Sequence, residues 1–243
     1  MKIKTIFTGV IAFLVLAAML SATLWASRVP DDTVCQQVKI LLCDSTEHQF
    51  VTENELLHTL KHNSLLPLGK KMEDISCHAI EQALLQHDMI RTAECCKMYD
   101  GTIRVELTQR VPMLLVQTPD ANYYVDTDRK VMPARSSVNV HVPTFRGAVS
   151  ERSATEEYWD FAAWLHHDRY WKNRITTIHV KTPKNIVLHQ CEVAGNILLG
   201  EMKDYEQKMN RLRKLYVQGF DKIGYTDYKE YDLRFSGQVV GRK

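Results

Sequence analysis

A run of 21 residues near the N-terminus contains no charged side chain. It extends from Ile6 to Ala26, which is long enough to cross a bilayer as a helix, because about 20 apolar residues with a rise of 1.5 Å each span about 30 Å of hydrocarbon. Lys2 and Lys4 precede the run. The positive-inside rule therefore predicts a cytoplasmic tail at residues 1–5, a single transmembrane anchor at residues 6–26, and a larger region outside the inner membrane, in the periplasm.

The alternative is a secretory signal peptide that is removed after export. The apolar core of a signal peptide usually has about 7–15 residues and ends in a small-x-small cleavage site. The run in this chain is longer, and Leu24 stands where a small residue is required. The sequence favours a retained anchor, and both alternatives export the rest of the chain.

Charge is balanced in the exported region. The chain has 31 Lys and Arg residues and 29 Asp and Glu residues, and two of the basic residues, Lys2 and Lys4, precede the anchor. The exported region is then neutral and has no basic patch, so nucleic acid is not expected as a partner. We also find no sign of a small-molecule substrate.

The chain contains six cysteines, and an exported protein can retain disulfides. No CxxC pair is present, so neither a zinc ribbon nor a redox motif is predicted. We expect between zero and two disulfides. Cys35 could pair with Cys95 or Cys96 if their strands are neighbours, and Cys77 lies near an apolar helical face that favours a buried free thiol.

The first exported region, residues 34–111, follows a short linker at residues 27–33. Its pattern predicts a strand at residues 34–44 and a helix that begins after Thr52, with Glu55 at the capping-box position. A second helix is predicted from Met72 to His87, because its apolar residues recur on one face. Two strands around a turn at residues 100–101 complete the unit. The expected order is strand, helix, helix, strand, strand.

The second exported region, residues 112–243, is expected to be a mixed β-domain with two flanking helices. Pro112 interrupts the preceding strand and marks its start. Alternation and helical periodicity predict a hairpin at 122–126 and 130–132, strands at 138–145, 175–181, 186–191 and 196–199, helices at 154–171 and 203–218, and strand-like segments at 228–235 and 238–241. Both regions together indicate the α+β class.

The residues that usually carry chemistry do not form a recognisable site. His58 and His62 have the helical spacing of a zinc protease, but that motif needs a Glu directly after the first His and this chain has Thr59. No serine-nucleophile elbow or phosphate-binding glycine loop is present. The sequence predicts no enzyme, with no catalytic residue, cofactor or metal.

The C-terminal segment is more informative. Tyr231, Leu233 and Phe235 alternate with charged residues, and a second short segment follows Ser236-Gly237. A terminal strand is commonly the edge of a sheet, and an edge can accept a strand from another chain. Little charge protects residues 236–240 from such pairing. Closure of the protein's own sheet by this segment is the alternative, and the pattern alone leaves both open.

Several segments, in order along the chain, resemble the FtsQ/DivIB cell division family, in the version found in Bacteroidetes-like bacteria. The strand-helix-helix-strand-strand unit is similar to a POTRA domain. The matching motifs are Gln109-Arg110-Val111-Pro112 at the end of that unit, Tyr123-Tyr124-Val125-Asp126 with Val131-Met132-Pro133 in the next hairpin, Val142-Pro143 with Gly147, and Tyr231-Asp232-Leu233-Arg234-Phe235 near the C-terminus.

This resemblance implies a non-enzymatic scaffold of the division septum that binds FtsB-like and FtsL-like proteins outside the membrane. In the family, a partner strand adds to the last strand of the β-domain. The matching positions here are Phe235, Ser236, Gly237, Gln238, Val239 and Val240. One departure is Arg129, because the family hairpin usually has Gly there, and we expect that turn to differ or to be mildly strained.

Two other classes of protein are alternatives. A POTRA-bearing factor for envelope export or assembly is the alternative function, although such proteins usually carry several POTRA repeats or a C-terminal barrel. A hydrolase acting on the cell wall would need a nucleophile, a metal site or a carboxylate pair, and none is recognisable in the sequence.

Overall fold

The computed structural model describes residues 13–22, 33–43, 49–135, 138, 140–191, 194–220 and 228–243. Within these residues the chain divides between Gln109 and Arg110 into two compact units, and Phe50 clusters with the second. Residues 13–22 are helical. No described helix is both long enough and apolar enough to span a membrane. The predicted tail at residues 1–5 lies outside the described residues. The same holds for residues 6–12 and 23–26 of the predicted anchor and for residues 27–32 of the predicted linker.

The first unit is a three-stranded sheet with two helices, as the sequence predicted. Its strands are β1 (Gln37–Leu42), β2 (Ile90–Lys97) and β3 (Thr102–Gln109), and they lie in the order β1-β3-β2. Strand β3 pairs parallel with β1 and antiparallel with β2. The helices are α1 (Glu53–His62) and α2 (Cys77–Leu85).

The helix ends follow local capping chemistry. The side chain of Thr52 accepts a hydrogen bond from the backbone N–H of Glu55, which confirms the predicted start of α1. Helix α2 begins five residues later than predicted, because Ser76 is its N-cap and the backbone N–H of Met72 donates to the carbonyl of Thr33 instead of entering a helix. Met72 is buried nonetheless.

All six cysteines are free thiols. This outcome is the lower limit of the predicted range of zero to two disulfides. Cys35 and Cys95 are buried, and burial raises the pKa of both thiols above the usual value. Cys77 is half-buried at the start of α2 and belongs to the surroundings of Cys95.

The second unit is one nine-stranded mixed sheet with helices. Its strands are β4 (Pro112–Gln117), β5 (Asn122–Asp126), β6 (Val131–Pro133), β7 (Thr144–Gly147), β8 (Ile175–Thr182), β9 (Asn185–Gln190), β10 (Asn196–Gly200), β11 (Glu230–Asp232) and β12 (Val240–Arg242). The order across the sheet is β12-β11-β10-β9-β8-β7-β4-β5-β6. The predicted α+β class is therefore confirmed for the described residues.

The helices of this unit are α3 (Glu151–Thr155), α4 (Glu157–His167) and α5 (Tyr205–Lys214), and α5 continues as a π-helix at Leu215–Phe220. The predicted helix 154–171 is wrong in its bounds, because the chain breaks at Glu156, where φ is −106° and ψ is −102°. Tyr158, Phe161 and Leu165 of α4 are buried against the sheet, in the same hydrophobic core as Met209 and Leu212 of α5.

Two strand predictions in this unit need correction. Strand β4 was not predicted, although it pairs with both β5 and β7, because Pro112 suggested a break and in fact occupies the first position of the strand. The predicted strand at 138–145 is shorter and begins at Thr144. Phe145 of β7 is fully buried and stacks on Tyr158 with ring centroids 5.2 Å apart.

Two of the motifs that carry the family resemblance meet at one buried carboxylate. Asp126, at the end of β5, is inaccessible to solvent, and its Oδ2 accepts a hydrogen bond of 2.7 Å from Arg110. Its Oδ1 accepts from the backbone N–H groups of Asp128 and Lys130, which fixes the β5–β6 turn. Gln109, the neighbour of Arg110, instead accepts from the N–H of Val51 within the first unit.

Arg129 adopts a left-handed conformation with φ of 64°, so the turn is mildly strained, which was one of the two expectations for this position. Its guanidinium compensates for this strain with several contacts. It donates to Asp160 at 2.6 Å, donates to the carbonyl of Thr155 at 3.0 Å, and lies 4.0 Å above the ring of Trp159. The side chain thus fastens the turn to the end of α3 and to α4.

We predict that the contacts of the Arg129 side chain raise the free energy of unfolding, whereas its left-handed backbone conformation lowers it. Arg129→Ala removes the contacts and keeps the left-handed strain, so it should lower the free energy of unfolding by about 1–2 kcal/mol. Arg129→Gly removes the same contacts but also relieves about 1 kcal/mol of strain, so it should be more stable than the Ala variant. Denaturant unfolding of the full-length chain measures the order. Equal stability of the wild type and Arg129→Ala would contradict a stabilising role for the side chain.

Candidate partner-binding edge

The large sheet of the second unit has two ends, and they differ in how they are protected. One end is β6 and the other is β12. Strand β12 pairs antiparallel with β11, from Glu230 opposite Arg242 to Asp232 opposite Val240. No described strand pairs with its other side. Alternate backbone groups of β12 are therefore directed away from the sheet, as in any edge strand.

The opposite edge is shielded by its sequence. Strand β6 has three residues, and one of them is Pro133, in register with Tyr123 of β5. Proline has no N–H group to donate, and short strands with proline are typical of protected edges. Strand β12 is equally short but contains no proline. Pairing with another chain is therefore better supported by β12 than by β6.

The structure places the six predicted partner-binding residues in and before this edge strand. Phe235 follows β11 and is 46 % exposed, Ser236 and Gly237 form the turn, and Gly237 has φ of 78°. Val240 is the first residue of β12. The remaining two, Gln238 and Val239, connect the turn to the strand, and Val239 packs against the hydrophobic core.

The predicted extent of the edge strand needs correction. The segment from Phe235 to Val239 is not a strand, because the chain reverses at Gly237 to return alongside β11. The edge strand itself continues to Gly241, which lies within the predicted strand-like segment 238–241, and to Arg242, and neither residue was among the predicted partner-binding residues. The predicted set therefore combines an exposed turn with the beginning of the edge strand.

Asp232 of β11 holds this hairpin together. Its carboxylate is fully buried. Oδ1 accepts from the Nε of Arg234 at 2.9 Å, and Oδ2 accepts from Arg234 at 2.6 Å and from Arg242 at 3.0 Å. Arg242 also lies 3.5 Å from Glu230. One carboxylate thus joins the edge strand, through Arg242, to Arg234, which lies two residues after the end of β11.

Electrostatics at Asp232 favour the ionised form. The hydrogen bonds and positive charge of Arg234, together with the charge of Arg242, lower the pKa of the Asp232 carboxyl below its usual value against the opposing effect of burial. Bidentate pairing with an arginine is among the stronger polar interactions in proteins. The sequence contains a signal for this pair, because residues 232 and 234 point to the same face of an extended segment.

An aromatic cluster supports the hairpin from the core side. Tyr231 of β11 contacts Tyr216 and Tyr228, with ring centroids 5.3 and 5.9 Å apart. The ring of Tyr228 also lies where a side chain at Gly241 would be, since a Cβ there would be 2.8 Å from two of its carbons. Glycine at this position of β12 allows the edge strand to lie directly on the tyrosine ring.

Helix α5 fastens the start of the turn. The guanidinium of Arg211 donates to the backbone carbonyls of Leu233 at 3.4 Å and Phe235 at 3.3 Å. Leu233 is fully buried, whereas Phe235 projects into solvent. The exposed Phe235 ring is therefore carried by a backbone that Arg211 holds at Leu233 and at Phe235 itself.

The other residues considered for chemistry do not assemble into a site. Within the described ranges, no group of three or more His, Cys, Asp and Glu side chains could hold a metal ion. His58 is an exposed residue of α1, and His167 lies 2.7 Å from the carbonyl of Ala163, one turn earlier in α4. Asp126 and Asp128 shape a turn, as described above.

The fold and this edge define, for the described residues, a two-domain protein with a POTRA-like unit followed by a mixed sheet that ends in an edge strand with one unpaired side. A POTRA-like domain model matches residues 33–108, and a family model described as FtsQ/DivIB, C-terminal related, matches residues 111–242. The second match covers more than half of the 243 residues, and the chain belongs to the FtsQ/DivIB family. No curated protein sequence matches the chain.

Membership of this family gives a coarse function. FtsQ/DivIB proteins are in general non-enzymatic scaffolds of cell division and act as membrane proteins at the division site. The family also implies interactions with other divisome proteins.

We predict that the Asp232 interactions contribute stability that depends on pH. At pH 7, Asp232→Asn should lower the free energy of unfolding by about 1–3 kcal/mol, because charge-assisted hydrogen bonds are lost at a buried site. The folded-state pKa is lowered, so the contribution is complete above the unfolded value of about 3.9 and is lost as the pH falls through the folded value. The difference between wild type and variant should therefore shrink between pH 5 and pH 2.

Glu230→Gln provides the control for this experiment. It removes a partly exposed carboxylate that contacts the same Arg242, and such exposed pairs contribute less than about 1 kcal/mol. Denaturant unfolding at several pH values measures both variants. A cost of Asp232→Asn that is independent of pH would contradict the electrostatic interpretation.

Proposed function

We propose that this protein is a non-enzymatic scaffold of the division septum, anchored in the inner membrane by residues 6–26, that recruits FtsB-like and FtsL-like proteins by strand addition to β12. The observation that carries the proposal is the unpaired side of β12 at the end of the nine-stranded sheet. The N-terminus would be cytoplasmic and both units periplasmic.

The backbone geometry of the edge supports strand addition. An incoming strand would continue the ladder that β11 and β12 begin, and its main-chain hydrogen bonds would provide affinity. Strand β12 is held by the pairing of Arg242 with Asp232 and by the ring of Tyr228 under Gly241. An edge that is already ordered loses little conformational entropy when a partner binds.

The exposed Phe235 supports the same site. It is a large apolar side chain that is 46 % exposed, and it lies at the turn that leads into the edge strand. Aromatic residues of this kind often dominate the binding energy of protein interfaces. Phe235 would therefore serve as a side-chain anchor beside the backbone pairing of Val240, Gly241 and Arg242.

We predict that Phe235→Glu weakens binding of the FtsB-like protein at least ten-fold, because a carboxylate would replace an apolar anchor and would lose water when the partner binds. The measurement is the dissociation constant of the full-length chain, in detergent, for the FtsB-like protein of the same organism. Depletion of the wild-type protein, with the variant supplied instead, should then give filamentous cells with unfinished septa.

Val131→Glu is the matched control. Val131 belongs to β6, at the opposite edge of the same sheet, and is 38 % exposed. The same change of side chain there should leave binding unaltered. Retention of wild-type affinity by Phe235→Glu, or an equal loss in Val131→Glu, would refute the assignment of the site to the β12 edge. Hydrogen exchange adds an independent readout, because the amides of β12 that point away from β11 should gain protection when the partner binds.

A further inference from the structure

Two cysteines of the POTRA-like unit meet where α2 packs on β2. Cys77 is the first residue of α2, and Cys95 lies in the buried face of β2. Burial raises the pKa of the Cys95 thiol, and a hydrogen bond between its side chain and that of Cys77 raises it further. The two thiols therefore interact directly, and neither belongs to the partner-binding edge of the second unit.

A hydrogen bond to the backbone of β2 fixes the position of α2 at this contact. The N–H of Cys95 donates to Oε1 of Glu81 at 2.8 Å. Glu81 lies four residues after Cys77, so both side chains project from the same face of the helix. The face of α2 that carries Cys77 is thus held over Cys95 by a second contact that involves no thiol.

Alternation along β2 directs the adjacent Cys96 away from the helix. Successive side chains of a strand point to opposite faces of the sheet. Cys95 is buried and its neighbours on the same face, Ala93 and Lys97, are half-buried, whereas Glu94 and Cys96 are exposed. Of the two adjacent cysteines, Cys95 is therefore the one that faces α2.

The sheet register excludes the pairing of Cys35 with Cys95 that the sequence left open. Val105 of β3 lies opposite Cys95 on one side and opposite Ile40 of β1 on the other. Neighbouring strands are about 4.8 Å apart, so Cys95 is separated from β1 by about 10 Å. Cys35 lies further away, because it precedes Ile40 by five residues. A disulfide requires Cα atoms within about 7 Å of each other.

We propose that Cys77 and Cys95 form a dithiol pair that is oxidised to a disulfide after export and then joins the start of α2 to β2. Oxidation in the cell rests on the periplasmic location proposed above, because disulfides persist in the periplasm and are rare in the cytosol. The ability of the two thiols to form the bond depends on the fold alone.

The oxidant is a protein or small molecule that carries a disulfide. Cys77 is half-buried and more accessible than Cys95, so its thiolate attacks one sulfur of the oxidant, forms a mixed disulfide and releases the first thiol. The thiolate of Cys95 then attacks the sulfur of Cys77 and releases the second thiol. The cysteine pair loses two electrons and two protons in total, and these convert the disulfide of the oxidant into two thiols.

The bond would stabilise a unit with a small hydrophobic core, which consists of three strands and two helices among the described residues. A disulfide between Cys77 and Cys95 closes a loop that contains residues 78–94 and thereby restricts the unfolded chain. We expect oxidation to raise the melting temperature of the POTRA-like unit by at least about 5 °C.

The test begins with the reduced full-length chain in detergent, which is incubated with oxidised glutathione. The remaining thiols are then alkylated, and the chain is digested with trypsin without reduction. Cleavage after Lys71, Arg91 and Lys97 places Cys77 on peptide 72–91 and Cys95 on peptide 92–97. Mass spectrometry should detect these two peptides joined by a disulfide, in a chain that remains a monomer on a non-reducing gel.

Two serine variants assign the bond to its residues. Cys96→Ser is the matched control, because it removes the exposed cysteine on the same peptide and should retain the cross-link. Cys77→Ser should abolish the cross-link. The melting temperature is compared between the oxidised and reduced forms of each chain, so any effect of a substitution on folding cancels. The increase should occur in the wild type and in Cys96→Ser, and it should be absent from Cys77→Ser.

Several results would overturn the pairing. One is the absence of the joined peptides after oxidation, and another is their loss in Cys96→Ser, which would assign the bond to Cys96. A cross-link found solely in a disulfide-bonded dimer would assign the oxidation to contacts between chains.

Alkylation of intact cells before lysis tests the location separately. The pair should be oxidised in cells that express the wild-type chain. A bond that forms with glutathione, in a chain whose Cys77 and Cys95 are reduced in cells, would contradict the periplasmic location and oxidation after export, while the dithiol pair itself would stand.

Discussion

The buried carboxylate of Asp232 determines whether the large sheet ends in an ordered strand. Arg242 lies in a strand of only three residues, and such a strand has few backbone hydrogen bonds of its own. Pairing of Asp232 with Arg242 and Arg234 compensates for this shortage, and Tyr228 supports Gly241 from below. Because both arginines are about half exposed, water solvates the side of each guanidinium that faces away from the carboxylate. Of these three charged groups, only the carboxylate of Asp232 is therefore fully buried.

A second buried carboxylate explains why two separated sequence motifs occur together. Arg110 follows directly on Gln109, yet the two side chains serve different units, since Gln109 accepts from Val51 and Arg110 donates to Asp126. The carboxylate of Asp126 also fixes the turn in which Arg129 is left-handed. The Q-R-x-P and Y-x-x-D patterns are thus two parts of one hydrogen-bonded structure.

The sequence predicted the elements whose signals are local. The N-cap at Thr52 and the alternation in β3 needed no information from distant residues, and both were confirmed. Strand β4 was missed because Pro112 is read as a break, whereas pairing with β5 and β7 on both sides makes it an interior strand. The division between α3 and α4 at Glu156 depends on how each helix packs, which periodicity does not encode. At the edge, the motif around Asp232 was visible, but the pairing with Arg242 and the contact of Gly241 with Tyr228 follow only from tertiary structure.

The difference between the two ends of the nine-stranded sheet has a consequence for stoichiometry. A sheet with two permissive ends can grow in both directions and form open-ended assemblies by edge-to-edge stacking. Pro133 and the shortness of β6 block one direction within the described residues. Growth of this sheet is therefore restricted to one side. A partner strand that adds to β12 becomes the new edge of the sheet, so the sequence of that partner strand determines whether growth ends in a discrete complex.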